Sequence, residues 1–274
     1  MHGIGNDYIY VNCMEKELDD PSGASVAMSP RHFSVGADGL VMICRSDEAD
    51  AKMRMFNADG SEGKMCGNAI RCVGKYLYDN GIVSKENISV ETLSGIKYLT
   101  LHTEGGKVAS VTVDMGLASF APKDIPISKE SEHINEKITV GDKEYFSTAL
   151  SMGNPHNVIF LEEVASLDLE KTGSEFENHP MFPERVNTEF VKVINGQELE
   201  MRVWERGSGE TWACGTGACA VVAAACKCGI SPFNEPIKVR LIGGELSIVC
   251  KDGFRMMMTG PCEKSFDGVY EYEN

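Results

Sequence analysis

Short stretches in which apolar residues alternate with polar ones, or run together, recur along most of the chain. Glycine- and polar-rich turns separate them, a pattern that predicts β-strands rather than long helices. Six stretches in the first half fit it: DYIYVNC, LVMIC, AKMRMFN, ISVETL, YLTLHT and ASVTVDM. Six in the second half fit it as well: HNVIFLE, EFVKVI, LEMRVWE, IKVRL, LSIVC and FRMMMTG.

Each half also contains one stretch that predicts a long helix, GNAIRCVGKYLYDNG in the first and GTGACAVVAAACKCG in the second. Gly81 and Gly229 are the expected helix ends, because glycine adopts the left-handed conformation that terminates helices. The second helix is almost entirely small and apolar, so we expect it to be buried on all sides. The first carries Arg71 and Lys75 and requires some polar surroundings.

The two halves are related by an internal repeat. A shift of 148 residues places MRMF of the first half on MRVW of the second, and Cys66 on Cys214. It also places the GN pair ending at Asn6 on the pair ending at Asn154. A shift of 149 places ISVETLSG on IKVRLIGG, and a shift of 150 places VGADGLVMI on RVNTEFVKV. This succession of matches in one order predicts two homologous domains of ordinary size.

The predicted fold class is therefore α+β, with two pseudo-symmetric domains that are each a curled, mostly antiparallel sheet around a central helix. We place the first domain at residues 1–117 and the second at 118–262. A proline-containing segment, ASFAPKDIPIS, is the expected crossing point. The C-terminal tail, residues 263–274, is expected to return to the first domain as a strand.

The chain is acidic, with a formal net charge of −15 over 274 residues. That charge argues against binding to nucleic acid or to anionic membranes. The opening segment, MHGIGNDYIYVNC, has neither a basic region nor an apolar run of the kind that secretion signals contain. We therefore expect a cytoplasmic protein with no membrane partner.

Two of the ten cysteines stand apart from the others. Cys66 and Cys214 each directly precede a glycine at a predicted helix start, whereas the others lie within predicted helices or in and beside strands. Without a secretion signal we expect reduced thiols, and without paired C-x-x-C motifs we expect no metal site. A helix N-terminus lowers a thiol's pKa, and its N–H groups attract a carboxylate.

Two opposed thiols suit the inversion of a carbon stereocentre. One thiolate would remove the α-proton from one face of an amino acid while the other thiol adds a proton to the opposite face. Helix N-termini directed at the α-carboxylate would stabilise the negative charge that develops there. We expect the pseudo-twofold symmetry to bring both cysteine loops to one cleft at the domain junction. Glu62 and Glu210, upstream of the two cysteines, are expected to brace these loops.

The segments MHGIGNDYI, GADGLVMI, FNADGSEGKMCGNAIRC, MGNPHNVIF, FPERVNTEF and WERGSGETWACGTGACA together resemble the diaminopimelate epimerase family. The resemblance spans nearly the whole chain and implies the following roles. The acid/base pair would be Cys66 and Cys214, with His156 and Glu205 tuning their thiols. N–H groups for the reacting α-carboxylate would come from Gly67, Asn68, Gly215 and Thr216. The rest of the substrate would contact Asn6, Asn57, Asn154, Asn187, Glu205 and Arg206, with Arg206 pairing with the distal carboxylate.

The same resemblance implies a cofactor-independent isomerase of lysine and cell-wall precursor biosynthesis that acts on diaminopimelate and forms a homodimer. The sequence departs from the family at Gly39, where some relatives have a glutamine that contacts the substrate. Relatives usually have a few residues before the MHG segment that form a strand, so the presence of this first edge strand is left open by the sequence.

Other functions remain open on the sequence alone. Another two-cysteine racemase, of the proline or hydroxyproline type, would leave the asparagines and Arg206 without a distal group to bind. An isomerase of the same fold without a thiol pair would not use Cys66 and Cys214. A dithiol redox protein or a metal-binding protein would be expected to contain close cysteine pairs.

Overall fold

A computed structural model describes residues 1–272, and the chain divides into two compact units. The first comprises Met1–Val113 together with the chain from Thr259 onward, and the second comprises Asp114–Met258. The sequence placed each crossing four residues later, at 117/118 and 262/263.

The first unit contains a mixed sheet and two helices, α1 (Pro21–Met28) and α2 (Gly67–Asp79). Its sheet has the order β3-β4-β5-β7-β8-β9, β6 pairs with β5, and β1 and β2 form a separate ribbon. The strands are β1 (His2–Gly3), β2 (Asn6–Asp7), β3 (Ile9–Cys13), β4 (Gly39–Cys44), β5 (Ala51–Asn57), β6 (Glu62–Gly63), β7 (Asn87–Glu91), β8 (Lys97–Glu104) and β9 (Lys107–Leu117), the last continuing into the second unit.

The second unit repeats this plan with helices α3 (Leu169–Glu177) and α4 (Gly215–Lys227). Its sheet has the order β10-β11-β12-β13-β14-β16-β17-β18, and β15 pairs with β14. The strands are β10 (Glu136–Val140), β11 (Lys143–Ser151), β12 (Pro155–Leu161), β13 (Asn187–Asn195), β14 (Glu198–Glu205), β15 (Gly209–Thr211), β16 (Pro236–Leu241), β17 (Gly244–Lys251) and β18 (Arg255–Pro261).

Most strand pairs are antiparallel, and the parallel pairs occur at matching places in the two units. β3 pairs with β4 and β5 with β7 in parallel in the first unit. β12 pairs with β13 and β14 with β16 in parallel in the second. The predicted α+β class with mostly antiparallel sheets is confirmed.

The central helix of the second unit is enclosed by its sheet. α4 packs against β11, β12, β13 and β17. Every residue of it is buried apart from Thr216 and Lys227, as its alanine-rich sequence predicted. α2 is more polar on one side, although its Arg71 is fully buried and donates to the carbonyls of Gly67 and Pro261. Among residues 1–272, the structure has no helix with the length and apolarity needed to cross a bilayer.

The strand registers correct one detail of the internal repeat. Met42 is the Cα partner of Arg54 in the first unit, and Phe190 is the partner of Arg202 in the second. Both residues of the pair are thus displaced by 148, so the shift of 150 used for VGADGLVMI was wrong by two residues. In the corrected alignment Gly39 corresponds to Asn187.

The short helices α1 and α3 were not predicted, yet they also obey the repeat. Asp20 accepts a hydrogen bond from the N–H of Gly23 at the start of α1, and Asp168 accepts one from Lys171 at the start of α3. These two capping aspartates are 148 residues apart. An aspartate before a helix is a common start signal, but each helix is too short for a clear periodicity.

The predicted strand in the C-terminal tail is absent from the part that the structure describes. Glu263 forms an isolated bridge with His2, and residues 264–272 have no regular secondary structure. Ser34 donates a hydrogen bond to the hydroxyl of Tyr270, and the hydroxyl of Tyr272 donates one to Asp20, so this segment is held in the first unit. The remaining tail residues, 273 and 274, lie outside the described range.

Candidate functional site

Cys66 is the residue that caps the N-terminus of α2. Its backbone is extended, with φ −129° and ψ 122°, and its sulfur accepts a hydrogen bond from the N–H of Ala69 at 3.5 Å. The thiol in turn donates to Oδ1 of Asn6 at 3.4 Å. The helix start that the sequence predicted is therefore present, and it joins two of the candidate residues, Cys66 and Asn6.

An ion-pair network holds the side chain of Asn6. The amide Nδ2 donates to Asp38 Oδ2 at 2.7 Å, and Arg31 donates to both Asp38 and Asp7. Because Asp38 takes the amide N–H, the carbonyl oxygen of Asn6 is directed to the thiol of Cys66. Asp38 was not predicted from the sequence, although its position directly before the first residue of β4, within GADGL, offered a signal.

The other candidates in the first unit lie at the ends of neighbouring elements. Asn57 is the last residue of β5 and donates to Ser61 Oγ at 3.0 Å, in the loop that leads to Cys66. Gly67 and Asn68 are the first two residues of α2, where backbone N–H groups have no intrahelical acceptor. Glu62 forms a two-point ion pair with Arg54 and so braces this loop.

Cys214 caps the N-terminus of α4 in the same way. Its backbone is extended, with φ −119° and ψ 106°, and its sulfur accepts from the N–H of Gly217 at 3.3 Å. Thr216 Oγ1 lies 3.6 Å from the sulfur, and Gly215 begins the helix. Glu210 pairs with Arg202 as Glu62 does with Arg54, and both residues of the pair are displaced by the repeat length of 148 residues.

The environment of Cys214 overturns the expectation that its helix start lowers the thiol pKa. Desolvation, followed by the negative charges of Glu205 and Glu189, raises the pKa of Cys214 well above its usual value. The hydrogen bond from the Gly217 N–H acts in the opposite direction and is outweighed. Desolvation also raises the pKa of Glu205, whose carboxylate accepts from Thr211 and hydrogen-bonds with Cys214. These surroundings favour the protonated thiol of Cys214 over the thiolate.

His156 is fully buried and links two polar side chains beside this thiol. Its Nε2 lies 3.1 Å from Oδ1 of Asn154, and its Nδ1 lies 2.6 Å from Oε1 of Glu189. Asn154 Nδ2 donates to Thr216 Oγ1 at 3.5 Å. Glu189 was not predicted from the sequence, although it follows Asn187 by two residues in a strand and so lies on the same face.

Asn187 and Arg206 are joined through the backbone. Asn187 donates to the carbonyl of Pro155 at 2.9 Å and accepts from the backbone N–H of Arg206 at 2.9 Å. The Arg206 guanidinium donates to the carbonyl of Glu184 at 2.8 Å. Within residues 1–272 no carboxylate lies at ion-pair distance from it, so its positive charge is not neutralised by a neighbour.

Each unit therefore contains a thiol at a helix start, a nearby asparagine and the N–H groups of the first helical turn, a set suited to proton transfer next to a carboxylate. In the range 1–272, no three histidine, cysteine, aspartate or glutamate side chains converge as a metal site.

Sequence comparison finds matches over nearly the entire chain. A family model described as diaminopimelate epimerase matches residues 1–121 and 148–265. A diaminopimelate epimerase of Agathobacter rectalis is 52% identical, covering 98% of this chain and 96% of that protein. One from Bacillus subtilis is 47% identical with the same coverage.

Solved structures with low sequence identity share the fold. A hydroxyproline epimerase of Agrobacterium vitis superposes with a TM-score of 0.67 at 16% identity, covering 95% of this chain and 86% of its own. A phenazine biosynthesis protein of the PhzF family from Bacillus anthracis gives 0.66 at 15% identity, covering 95% and 92%.

Proposed function

Because this chain belongs to the diaminopimelate epimerase family and is an isomerase, we propose that it interconverts LL- and meso-diaminopimelate with Cys66 and Cys214 as the two acid/base groups. One observation carries the proposal. The two cysteines cap equivalent helices of a duplicated fold, and each sulfur accepts a backbone N–H from its own helix.

The proposed reaction is a proton transfer on each face of the α-carbon. A thiolate at one cysteine takes the α-proton, and the thiol at the other delivers a proton to the opposite face. The roles exchange when the reaction runs in reverse. Negative charge that moves onto the α-carboxylate would be stabilised by N–H groups at the starts of α2 and α4, from Gly67, Asn68, Gly215 and Thr216.

The rest of the substrate would be bound by polar side chains. The amides of Asn6, Asn57, Asn154 and Asn187 supply donors and acceptors for an amino-acid end that does not react. Arg206, whose guanidinium has no carboxylate partner among residues 1–272, would pair with the distal carboxylate. Glu205 and His156, which lie around Cys214, would tune its thiol.

The proline or hydroxyproline alternative is disfavoured by sequence. Curated relatives near 50% identity are diaminopimelate epimerases, whereas the hydroxyproline epimerase shares 16% identity and only the fold. A homodimer and a cytoplasmic location remain predictions from the family resemblance and the sequence. Light scattering of the purified protein would test the dimer.

The mechanism is tested by isotope incorporation in a first turnover. LL-diaminopimelate is mixed with enzyme in D₂O without added pyridoxal phosphate. Both isomers are then separated by chiral chromatography, and their deuterium content is measured by mass spectrometry. The thiol that delivers the proton has exchanged with solvent beforehand. We therefore expect deuterium at the inverted carbon of the product and little in the substrate sampled early.

Single alanine variants locate the two groups. Cys66→Ala and Cys214→Ala should each abolish inversion, since each face of the carbon requires its own group. Cys219→Ala is a matched control, because Cys219 is a buried cysteine in the interior of α4 and should be dispensable for activity. Product that keeps the substrate hydrogen, or near-normal inversion by either single variant, would rule the two-thiol mechanism out.

A further inference from the structure

Glu189 is a buried carboxylate with a single hydrogen-bond partner. It is the third residue of β13 and has no solvent exposure, and its Oε1 is 2.6 Å from His156 Nδ1. Its other oxygen, Oε2, is also buried and has no hydrogen-bond partner within the part of the chain that the structure describes. Burying a carboxylate is costly unless it is paired, so the contact with His156 is what stabilises Glu189 in this position.

The other ring nitrogen of His156 defines where its proton lies. Nε2 faces the carbonyl oxygen of Asn154, and a carbonyl oxygen only accepts hydrogen bonds. Nε2 must therefore carry a hydrogen. The short contact between Nδ1 and Glu189 then requires a second proton, shared between the imidazole and the carboxylate.

The hydrogen on Nε2 and the orientation of the Asn154 amide depend on each other, because a ring N–H can hold only the carbonyl oxygen of that amide toward His156. With its carbonyl oxygen held by His156, the amide NH₂ is directed at Thr216 Oγ1, which lies beside the sulfur of Cys214. The carboxylate also lies near the thiol. A carbon added at Gly217 would lie 2.8 Å from Glu189 Oε1 and 3.1 Å from Cys214 Sγ, so both groups face one small space.

The first unit has no such pair. In the register of the repeat, His156 corresponds to Tyr8 and Glu189 to Val41. The equivalent asparagine, Asn6, is instead oriented directly by Asp38. The imidazole–carboxylate pair beside Cys214 therefore has no counterpart at the equivalent positions of the first unit.

We infer that Glu189 is a positioning residue for the epimerase reaction: by holding His156 with a proton on Nε2, it fixes the orientation of the Asn154 amide beside Cys214. The inference rests on the proposed role of Cys214. It assigns Glu189 no contact with substrate.

Two substitutions separate the hydrogen bond from the charge. Glu189→Leu removes the partner that His156 Nδ1 has among the described residues. Glu189→Gln retains one, because the glutamine amide can donate to Nδ1 of a neutral imidazole and leave the hydrogen on Nε2. We expect kcat to fall about tenfold or more in Glu189→Leu, since the groups around the reacting atoms are misplaced. Glu189→Gln should stay within about threefold of the wild-type kcat.

The protonation of His156 can also be measured by spectroscopy in enzyme that is not turning over substrate. Long-range ¹H–¹⁵N correlation spectra of the histidine rings report which nitrogens are protonated. We expect His156 to show protons at both nitrogens in the wild type and at one in Glu189→Leu. Glu163→Gln is the matched control, because it removes an exposed glutamate that pairs with Lys192 in the same unit, and it should change neither kcat nor the His156 spectrum.

The results have distinct meanings. Loss of kcat in Glu189→Leu, recovery in Glu189→Gln and the altered ring spectrum together support the inference. Normal kcat in Glu189→Leu, equal impairment of both variants, or an unchanged His156 spectrum would each overturn it. The proposed function is tested separately, because an active Cys214→Ala variant would refute it. The ring spectrum is measured on resting enzyme and does not depend on that outcome.

Discussion

Adding a single methyl group at Gly217 should lower both the stability and the activity of the enzyme, although alanine favours a helix more than glycine does. Gly217 lies in the first turn of α4, and its backbone does not adopt a conformation reserved for glycine. Gly217→Ala by itself would stabilise a helix by about 0.5–1 kcal/mol. The new carbon, however, would lie 2.8 Å from Glu189 Oε1 and 3.1 Å from Cys214 Sγ, both shorter than ordinary contacts.

The steric cost should exceed the helix gain. Overpacking a buried position typically costs about 1–3 kcal/mol. All the side chains around this carbon are buried: Cys214 is 5% exposed and Glu189 is not exposed at all. Subtracting the helix gain, we expect the free energy of unfolding to fall by up to about 2 kcal/mol. The displaced thiol should lower kcat by about 100-fold, because small shifts of reacting groups have large effects on rate.

Urea unfolding followed by circular dichroism, together with a chiral assay of diaminopimelate, would measure both effects. Gly268→Ala is the control, since its added carbon would have only ordinary contacts at 3.8 Å and 3.9 Å with Phe266. A Gly217→Ala enzyme that is more stable than the wild type and equally active would refute this account of the packing around Cys214.

Two further predictions follow from individual side chains. Arg206→Ala should remain folded but lower kcat/KM for diaminopimelate about 10- to 150-fold, which is the effect of losing a hydrogen bond to a charged group. Arg185→Ala is the control, because it loses only an ion pair with Glu177 and should leave kcat/KM unchanged. Equal kinetics for the two variants would contradict the role of Arg206. Because the pKa of Cys214 is raised in the folded state, its stabilising contribution is complete below the unfolded thiol pKa of about 8.5 and is lost as pH rises toward the folded value. The difference in unfolding free energy between wild type and Cys214→Ala should therefore fall by up to about 1.4 kcal/mol per pH unit above pH 8.5, and parallel stability curves from pH 7 to 10 would disprove it.

The strands and the two long helices could be predicted because each has a local signal. Alternation marks β5 and β14 almost to the residue, and glycines after a polar loop mark the starts of α2 and α4. The repeat then assigned the two cysteines to equivalent positions without any three-dimensional information. The short helices and the tail have weak local patterns, so their conformation depends on tertiary contacts such as that of Tyr272 with Asp20.

Partners that come from distant segments could not be predicted. Asp38 reaches Asn6 across 32 residues, and Glu189 reaches His156 across 33, and neither separation is visible in a motif. The pKa of Cys214 was misjudged for the same reason. A helix start is a local feature, whereas the desolvation and the two carboxylates that outweigh it depend on how β13 and β14 pack against α4.

Between its capping aspartates and its two cysteines the repeat keeps a constant spacing, so the two units can be compared with each other position by position. Asp20 and Asp168, Arg54 and Arg202, and Cys66 and Cys214 are all separated by the same number of residues. No insertion or deletion has accumulated between these landmarks, so the loop from Arg54 to Cys66 could be exchanged for the loop from Arg202 to Cys214 without a change of length. Any difference in behaviour between the two thiols can then be traced to side chains rather than to backbone, one exchanged segment at a time.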